Sequence, residues 1–257
     1  VLSYLPERRA FEVLLGGEEE GESRENVLRI WEKPQPGFLY VIGVDVSYGQ
    51  DGGDSSAIQV IRVGNRSTPD EQVAEWCGTI NPVELAQPIW LLGHMYADRA
   101  DGLPAKLAIE TNPGSPGLVT QTELIRRGYP HFYTWRKPNK LGKGFTKEVG
   151  WWTTPGTRPL LTDKGVDAIC KRHLRVNSLP LVGEMDTFIA AMSASGVRKM
   201  EHAQGEHDDR LMALFIAYYV AHESDSIAVA EERARMHAMR NAPPEKTRQL
   251  WEVAASM

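Results

Sequence analysis

The sequence predicts an α/β fold, a mixed central sheet flanked by helices, on three observations. The run Phe38-Leu39-Tyr40-Val41-Ile42-Gly43-Val44-Asp45 stays apolar until its last residue, as a strand buried on both faces does. Two more strand-like segments follow at short, turn-rich intervals, and then helical and strand-like patterns alternate. Near the C-terminal end, Leu211-Met212-Ala213-Leu214-Phe215-Ile216-Ala217-Tyr218-Tyr219 is apolar on all sides, which calls for a largely buried helix.

Residues 1–36 carry the acidic run Glu18-Glu19-Glu20 and end on the breaker Pro34-Gln35-Pro36-Gly37, so they are expected to be a linker or arm. After the strand ending at Asp45, Ala57–Val63 and Gln72–Trp76 read as strands in meander order. Apolar residues at Val83, Leu85, Ile89, Leu92 and Met95 recur at helical spacing behind Asn81-Pro82, a cap with a first-turn proline, which predicts a helix from Pro82 to Ala97. Lys106-Leu107-Ala108-Ile109-Glu110 is a short strand, again ending on an acid. Thr120–Arg127 reads as helix, His131–Trp135 as strand, and Thr162–His173 as helix weakened by Gly165. Strand character returns at Leu179–Val182, and the apolar helix runs from about Asp208 to Ala221. The domain is thus expected over 37–223. Residues 224–257, with Ser224-Asp225 able to cap a helix and Pro243-Pro244 breaking it, are expected to be a helical tail.

With 257 residues, 42% hydrophobic and 25% charged, the composition suits one globular domain with extensions and argues against a disordered or fibrous chain. Cys77 and Cys170 cannot make a disulfide framework, which favours a reducing compartment. No apolar run approaches the ~20 residues that cross a bilayer, and no signal-peptide pattern opens the chain; the expectation is a soluble, intracellular protein without a membrane partner. The net charge of -5 does not point to nucleic acid, but a local patch, not the total, is what meets phosphate.

Asp45 and Glu110 each end an otherwise apolar strand, and the carboxyl ends of strands in open α/β sheets are where ligands bind. A carboxylate there must be paired, hydrogen-bonded or bound to a cation. Taken singly, each is better explained as a turn or capping residue, and Asp208-Asp209 by helix capping. Together they form a set of hard oxygen donors that selects Mg2+ or Mn2+; two such ions, ~3.5–4 Å apart, support phosphodiester hydrolysis. A second stretch bears on substrate. Arg126, Arg127, Arg136, Lys137, Lys140, Lys143 and Lys147 are interleaved with Tyr129, Phe132, Tyr133, Trp135 and Phe145, with no acid from Arg126 to Lys147. Cations beside aromatics that support or stack suit a nucleic-acid groove, with a solvated loop over a buried aromatic strand as the alternative. Lys143 and Lys147 are the first candidates for phosphate contact.

Five ordered segments, Gly43-Val44-Asp45-Val46-Ser47-Tyr48-Gly49, Gly53-Asp54-Ser55-Ser56-Ala57, Ala108-Ile109-Glu110-Thr111-Asn112, Gly150-Trp151-Trp152-Thr153-Thr154 and His207-Asp208-Asp209-Arg210-Leu211-Met212-Ala213, resemble the C-terminal nuclease domain of the large terminase subunits of tailed bacteriophages. The resemblance spans roughly residues 38 to 222. It implies an RNase H-like fold in which Asp45, Glu110 and one of Asp208 or Asp209 bind the metals. Consecutive helix residues point ~100° apart, so the aspartates should differ in role; Asp209 is favoured as the main ligand, with Asp208 a second ligand or cap. His207 and Asp54 are accessory candidates, and Asp51 is a possible substitute for Asp54.

The resemblance further implies a metal-dependent endonuclease that cuts concatemeric viral double-stranded DNA in the cytoplasm of an infected bacterium. Its partners would be the terminase ATPase domain, the small terminase subunit and the portal. No Gly-x-x-x-x-Gly-Lys-Ser/Thr phosphate loop occurs in the sequence, and Leu141–Lys147 matches one only superficially. The chain is therefore expected to be an excised nuclease domain, with residues 1–36 a remnant of the interdomain connection. Two alternatives remain: an actin-like or sugar-kinase-type phosphotransferase, which also opens with a glycine-flanked Asp, and a non-catalytic DNA-binding assembly module.

Overall fold

A computed structural model of the chain describes residues 27–49, 54–65, 67–98, 102–138, 145–192, 198–202 and 207–223. The chain divides into units 1–221 and 222–257, and of the second only His222 and Glu223 are described. Ten strands and five helices occur among the described residues. In order they are β1 (Val27–Ile30), β2 (Tyr40–Asp45), β3 (Ser56–Arg62), β4 (Asp70–Gly78), α1 (Pro82–Met95), β5 (Lys106–Ile109), α2 (Pro116–Arg126), β6 (Thr134–Pro138), β7 (Phe145–Val149), α3 (Arg158–Cys170), β8 (Leu174–Arg175), α4 (Leu179–Thr187), β9 (Phe188–Met192), β10 (Arg198–His202) and α5 (Asp209–Glu223). Among the described residues, no helix is long and apolar enough to cross a membrane.

The central sheet is mixed and six-stranded, in the order β1-β4-β3-β2-β5 with β8 also on β4. The meander β2-β3-β4 is antiparallel, and β5 joins β2 in parallel. Alternate residues of the central strands face two cores. Ile42, Val44, Ile58, Val60, Leu107 and Ile109 pack with Leu85, Ile89 and Leu92 of α1 and Leu124 of α2. On the other side, Val41, Ile61 and Ala108 pack with Leu161 of α3, Leu181 of α4 and the apolar run of α5. Burial on both faces is why β2 reads as a continuous apolar run, and each fully buried Leu or Ile contributes about 1.5–3 kcal/mol.

Two glycines let α5 lie close. A Cβ on Gly43 would stand 2.1 Å from the Ala213 carbonyl oxygen, so only hydrogen there permits α5 to cross β2 at this depth. A Cβ on Gly165 would stand 2.0 Å from Cδ1 of Phe215. Gly165, expected only to weaken its helix, is thus the notch in α3 that receives the Phe215 ring.

Several local expectations need correction. Residues 27–30, assigned to an arm, form β1 and pair with Ala74–Cys77 of β4, with Leu28 and Ile30 buried. Leu179–Val182 is not a strand but the start of α4, because Ser178 accepts from the Leu181 amide and Pro180 suits a first turn. Helices α2 and α3 start earlier than expected, at Pro116 and Arg158, again with proline in the first turn. The strand at His131–Trp135 is split. Residues 131–133 pair with β5, Tyr133 donating its amide to the Leu107 carbonyl at 2.7 Å, before the chain leaves in the β6–β7 hairpin. It returns at Trp151, whose amide donates to the Ile109 carbonyl at 2.8 Å. The hairpin thus interrupts the edge strand beside β5, and neither it nor the β9–β10 hairpin was expected. Residues 1–26 of the arm and the tail at 224–257 lie outside the described residues.

Candidate metal centre

Parallel pairing of β2 and β5 brings the first two acids together. Val44 is in register with Ile109, and the Glu110 amide donates to the Val44 carbonyl at 3.0 Å, so Asp45 and Glu110 leave the same sheet edge side by side. Glu110 is oriented by Asn112, whose Nδ2 donates to Glu110 Oε1 at 3.0 Å while its Oδ1 accepts from the Thr153 amide at 2.9 Å. Since Trp151 also bridges Glu110, residues 150–153 brace this carboxylate through both backbone and side chain.

The close crossing at Gly43 carries the first turn of α5 toward the end of β2. There the Ser55 amide donates to Asp209 Oδ2 at 3.0 Å, tying the helix to the segment leading into β3. Asp208 closes the first helical turn, its carbonyl accepting from the Met212 amide at 2.8 Å. Its side chain goes elsewhere: Oδ2 lies 2.5 Å from a terminal guanidinium nitrogen of Arg158, at the start of α3. The two aspartates therefore differ, as helix geometry requires.

The electrostatics are those of crowded carboxylates. Burial, then Glu110, then Asp209 and Asp208 hold the Asp45 carboxyl well above the usual carboxylate range, and a hydrogen bond with Glu110 acts in the same direction. Asp209 is pushed up to about 6, by burial first and by Asp54 and Asp208, against the opposing pull of the Ser55 amide and His207. The sequence-expected accessory residues join here. His207 Nδ1 is 3.3 Å from Asp54 Oδ1 and 4.0 Å from Asp209 Oδ2, and one donor atom from each of the three lies within 4.8 Å of the others. This second donor group is exposed at Asp54 and His207 and shares Asp209 with the more buried quartet. Donor atoms at ion-binding spacing are thus those of Asp54, His207 and Asp209, while Asp45, Glu110 and Asp208 interact electrostatically beside them.

The basic stretch is reorganised. Arg126 and Arg127 pair with Glu123 one turn back, at 2.7 and 2.8 Å. Tyr129 and Tyr133 are buried, and Trp135 packs edge-on against Trp151, so these aromatics build core instead of offering a stacking surface. Arg136, Lys137 and Lys147 lie on the β6–β7 hairpin, with Arg136 opposite Lys147 and the Lys147 side chain exposed. Lys140, Lys143 and Asp51 lie outside the described residues. The sequence reading missed Arg158, whose signal was a cation opening a helix with no acid in its first turn, and it gave Asn112 no role.

No protein-family model and no curated protein sequence matches the chain. Solved structures do. The large terminase nuclease of thermophilic phage G20c, in its cobalt-bound form, superposes with a TM-score of 0.57 at 19% identity, covering 77% of this chain and 88% of that one. Its magnesium-bound form gives 0.56 at 20% identity over the same shares. The nuclease domain of the large terminase of Thermus phage P74-26 gives 0.54 at 20% identity, covering 77% and 86%. The chain thus has the RNase H-like fold of the large terminase nuclease domains, a mixed sheet between two layers of helices.

Proposed function

We propose that the chain is a metal-dependent endonuclease that cuts double-stranded DNA, in the setting of viral genome packaging. The observation that carries this reading is the Asp45–Glu110 pair: two carboxyls in hydrogen-bond contact at the ends of parallel strands, with the α5 aspartates adding further negative charge. Carboxyls gathered and buried in this way disfavour their charged forms, which a cation among them would offset. The donor set fits a hard divalent ion, Mg2+ or Mn2+, and its four carboxylates are enough for two. The G20c nuclease of the same fold binds cobalt and magnesium.

Asp45, Glu110 and Asp209 would hold the ions, with Asp208 joining them, and Asp54 and His207 would serve from the exposed side. Bound ions supply the positive charge that activates a water and stabilises the leaving oxygen of a phosphodiester. Asn112 holds Glu110 in place, and the Ser55 amide does the same for Asp209. Phosphate contacts fall to Lys147, Arg136 and Lys137 of the β6–β7 hairpin, and to Lys140 and Lys143, which lie between its strands in sequence. In the full assembly the partners are a packaging ATPase domain, a small terminase subunit and a portal, in the cytoplasm of an infected bacterium, and the substrate is concatemeric DNA.

The test is cleavage of plasmid DNA with Mn2+ or Mg2+. Activity is expected in the wild-type chain and its loss in Asp45→Ala; cleavage that survives in Asp45→Ala overturns the assignment. Absence of any Mn2+-induced stabilisation would instead favour a non-catalytic DNA-binding module, since a ligand bound only by the native state raises stability.

A further inference from the structure

Arg158 stands where a cation is least at home. It opens α3, whose positive dipole end repels a guanidinium, and no acidic residue in the first turn of that helix offsets it. Its partner is instead Asp208, the residue just before α5: a terminal nitrogen contacts Asp208 Oδ2 at 2.5 Å. The pair is asymmetric in exposure, the Asp208 side chain being 13% accessible and that of Arg158 34%. The guanidinium therefore lies at the solvent boundary and can turn outward on its own stem, while the Asp208 carboxylate is largely covered. Arg210, two residues beyond Asp208, is its opposite, buried and fixed between Glu184 and Glu75.

We propose that Arg158 is an exchangeable counter-ion. It neutralises Asp208 while the centre is empty of substrate, and it moves to a DNA phosphate when the backbone arrives, releasing Asp208 to a divalent cation. This rests on the metal-centre reading above. Guanidinium and a divalent ion compete for one carboxylate, since each repels the other there. A phosphodiester resolves the competition, because it offers the planar guanidinium a bidentate partner as good as the carboxylate. The consequence is positive coupling: phosphate binding tightens ion binding, and ion binding frees Arg158 for phosphate, by the same factor in each direction.

The experiment measures Mn2+ affinity of the full chain by titration calorimetry without DNA, beside plasmid cleavage at saturating Mn2+. Removing the competitor in Arg158→Gln is expected to tighten Mn2+ binding about 5-fold or more, yet to slow cleavage about 100-fold by removing a phosphate contact. Against an Asp208→Asn background the same substitution is expected to leave Mn2+ affinity unchanged. Arg158→Lys, which keeps charge without the fork, is expected to retain wild-type Mn2+ affinity and recover part of the cleavage; it also serves should the glutamine variant fail to fold. Unchanged or weakened Mn2+ binding in a folded Arg158→Gln, or undiminished cleavage, overturns the exchange. No Mn2+ binding by the wild-type chain overturns the metal centre itself, a separate result.

Discussion

Asp209→Asn is expected to make the metal-free protein more stable while removing its cleavage activity. The Asp209 carboxyl rises from 3.8 to about 6, a shift of about 2 units. At about 1.4 kcal/mol per unit, ionising it in the folded protein costs about 3 kcal/mol more at pH 7.5 than in the unfolded chain. The side chain is 15% accessible, so solvent screening reduces this only modestly. Asparagine has the same shape and can still accept from the Ser55 amide, but it forfeits the charge-assisted part of that bond, about 1 kcal/mol. The net expectation is a gain of about 1–2 kcal/mol at pH 7.5. The pH dependence follows from the direction of the shift. A carboxyl whose folded value is raised contributes most to stability below its unfolded value of 3.8, and that contribution is lost as pH rises through about 6. Asp45 is shifted the same way, so the metal-free wild type should weaken between acid and neutral pH. Urea denaturation in EDTA at pH 4.5 and 7.5 measures both effects. Added Mn2+ should reverse the order at pH 7.5, stabilising wild type above the variant. A variant less stable than wild type at pH 7.5 in EDTA, or one with the same increment at both pH values, refutes the reasoning.

Asn112→Ala removes the hydrogen bond to Glu110 and the acceptor of the Thr153 amide. It is expected to cost about 1–2 kcal/mol in stability and to weaken Mn2+ affinity or cleavage about 10- to 100-fold, read by thermal melts and by cleavage against Mn2+ concentration. Gly43→Ala forces a Cβ to 2.1 Å from the Ala213 carbonyl oxygen. Because the obstacle is helix backbone, a loss of about 3 kcal/mol is expected, with cleavage at least about 100-fold down in the protein that remains folded. Lys147→Gln on the hairpin is expected to weaken binding to a duplex oligonucleotide and to lower the salt slope of that binding by about 1; an unchanged slope removes Lys147 from the phosphate contacts.

What could be read in advance depended on whether a residue's partners were near it in sequence. β2, β5 and α5 carry their own pattern, since burial on both faces of the sheet or all round a helix leaves a continuous apolar run, and the acids at their ends stood out against it. β1 has only Leu28 and Ile30 to bury and follows an acidic stretch, so its strand character comes from pairing with β4 and not from composition. Leu179–Val182 looks like a strand to a hydrophobicity pattern, but Ser178 and Pro180 start a helix there. Trp135 and Tyr133 sit among lysines and arginines and looked like stacking groups, yet they pack on or beside Trp151, which returns to the sheet only after the hairpin. Arg158 and Asp208 are separated by 50 positions, and no local pattern joins them.

Among the described residues, two kinds of acid bear on the centre. Several away from the sheet edge are paired with cations. Glu71 meets Arg62 at 2.8 Å, Glu184 meets Arg210 at 2.9 Å, and the fully buried Glu75 has Arg29 and Arg210 each at 3.6 Å and a hydroxyl from Ser178 at 2.9 Å. At Asp45, burial and the neighbouring acids Glu110, Asp209 and Asp208 all oppose ionisation of the carboxyl. Both kinds meet in the first turn of α5. Glu184 accepts from the Arg210 side chain and from the Leu211 amide, and Arg210 reaches back to Glu75 in the sheet, which fixes the rotation of the helix about its own axis. With residue positions ~100° apart, anchoring Arg210 among the buried acids leaves Asp209 facing Ser55 and the end of β2. The paired acids thus fix the rotation of α5 that sets Asp209 against Ser55, beside the carboxyl at the end of β2.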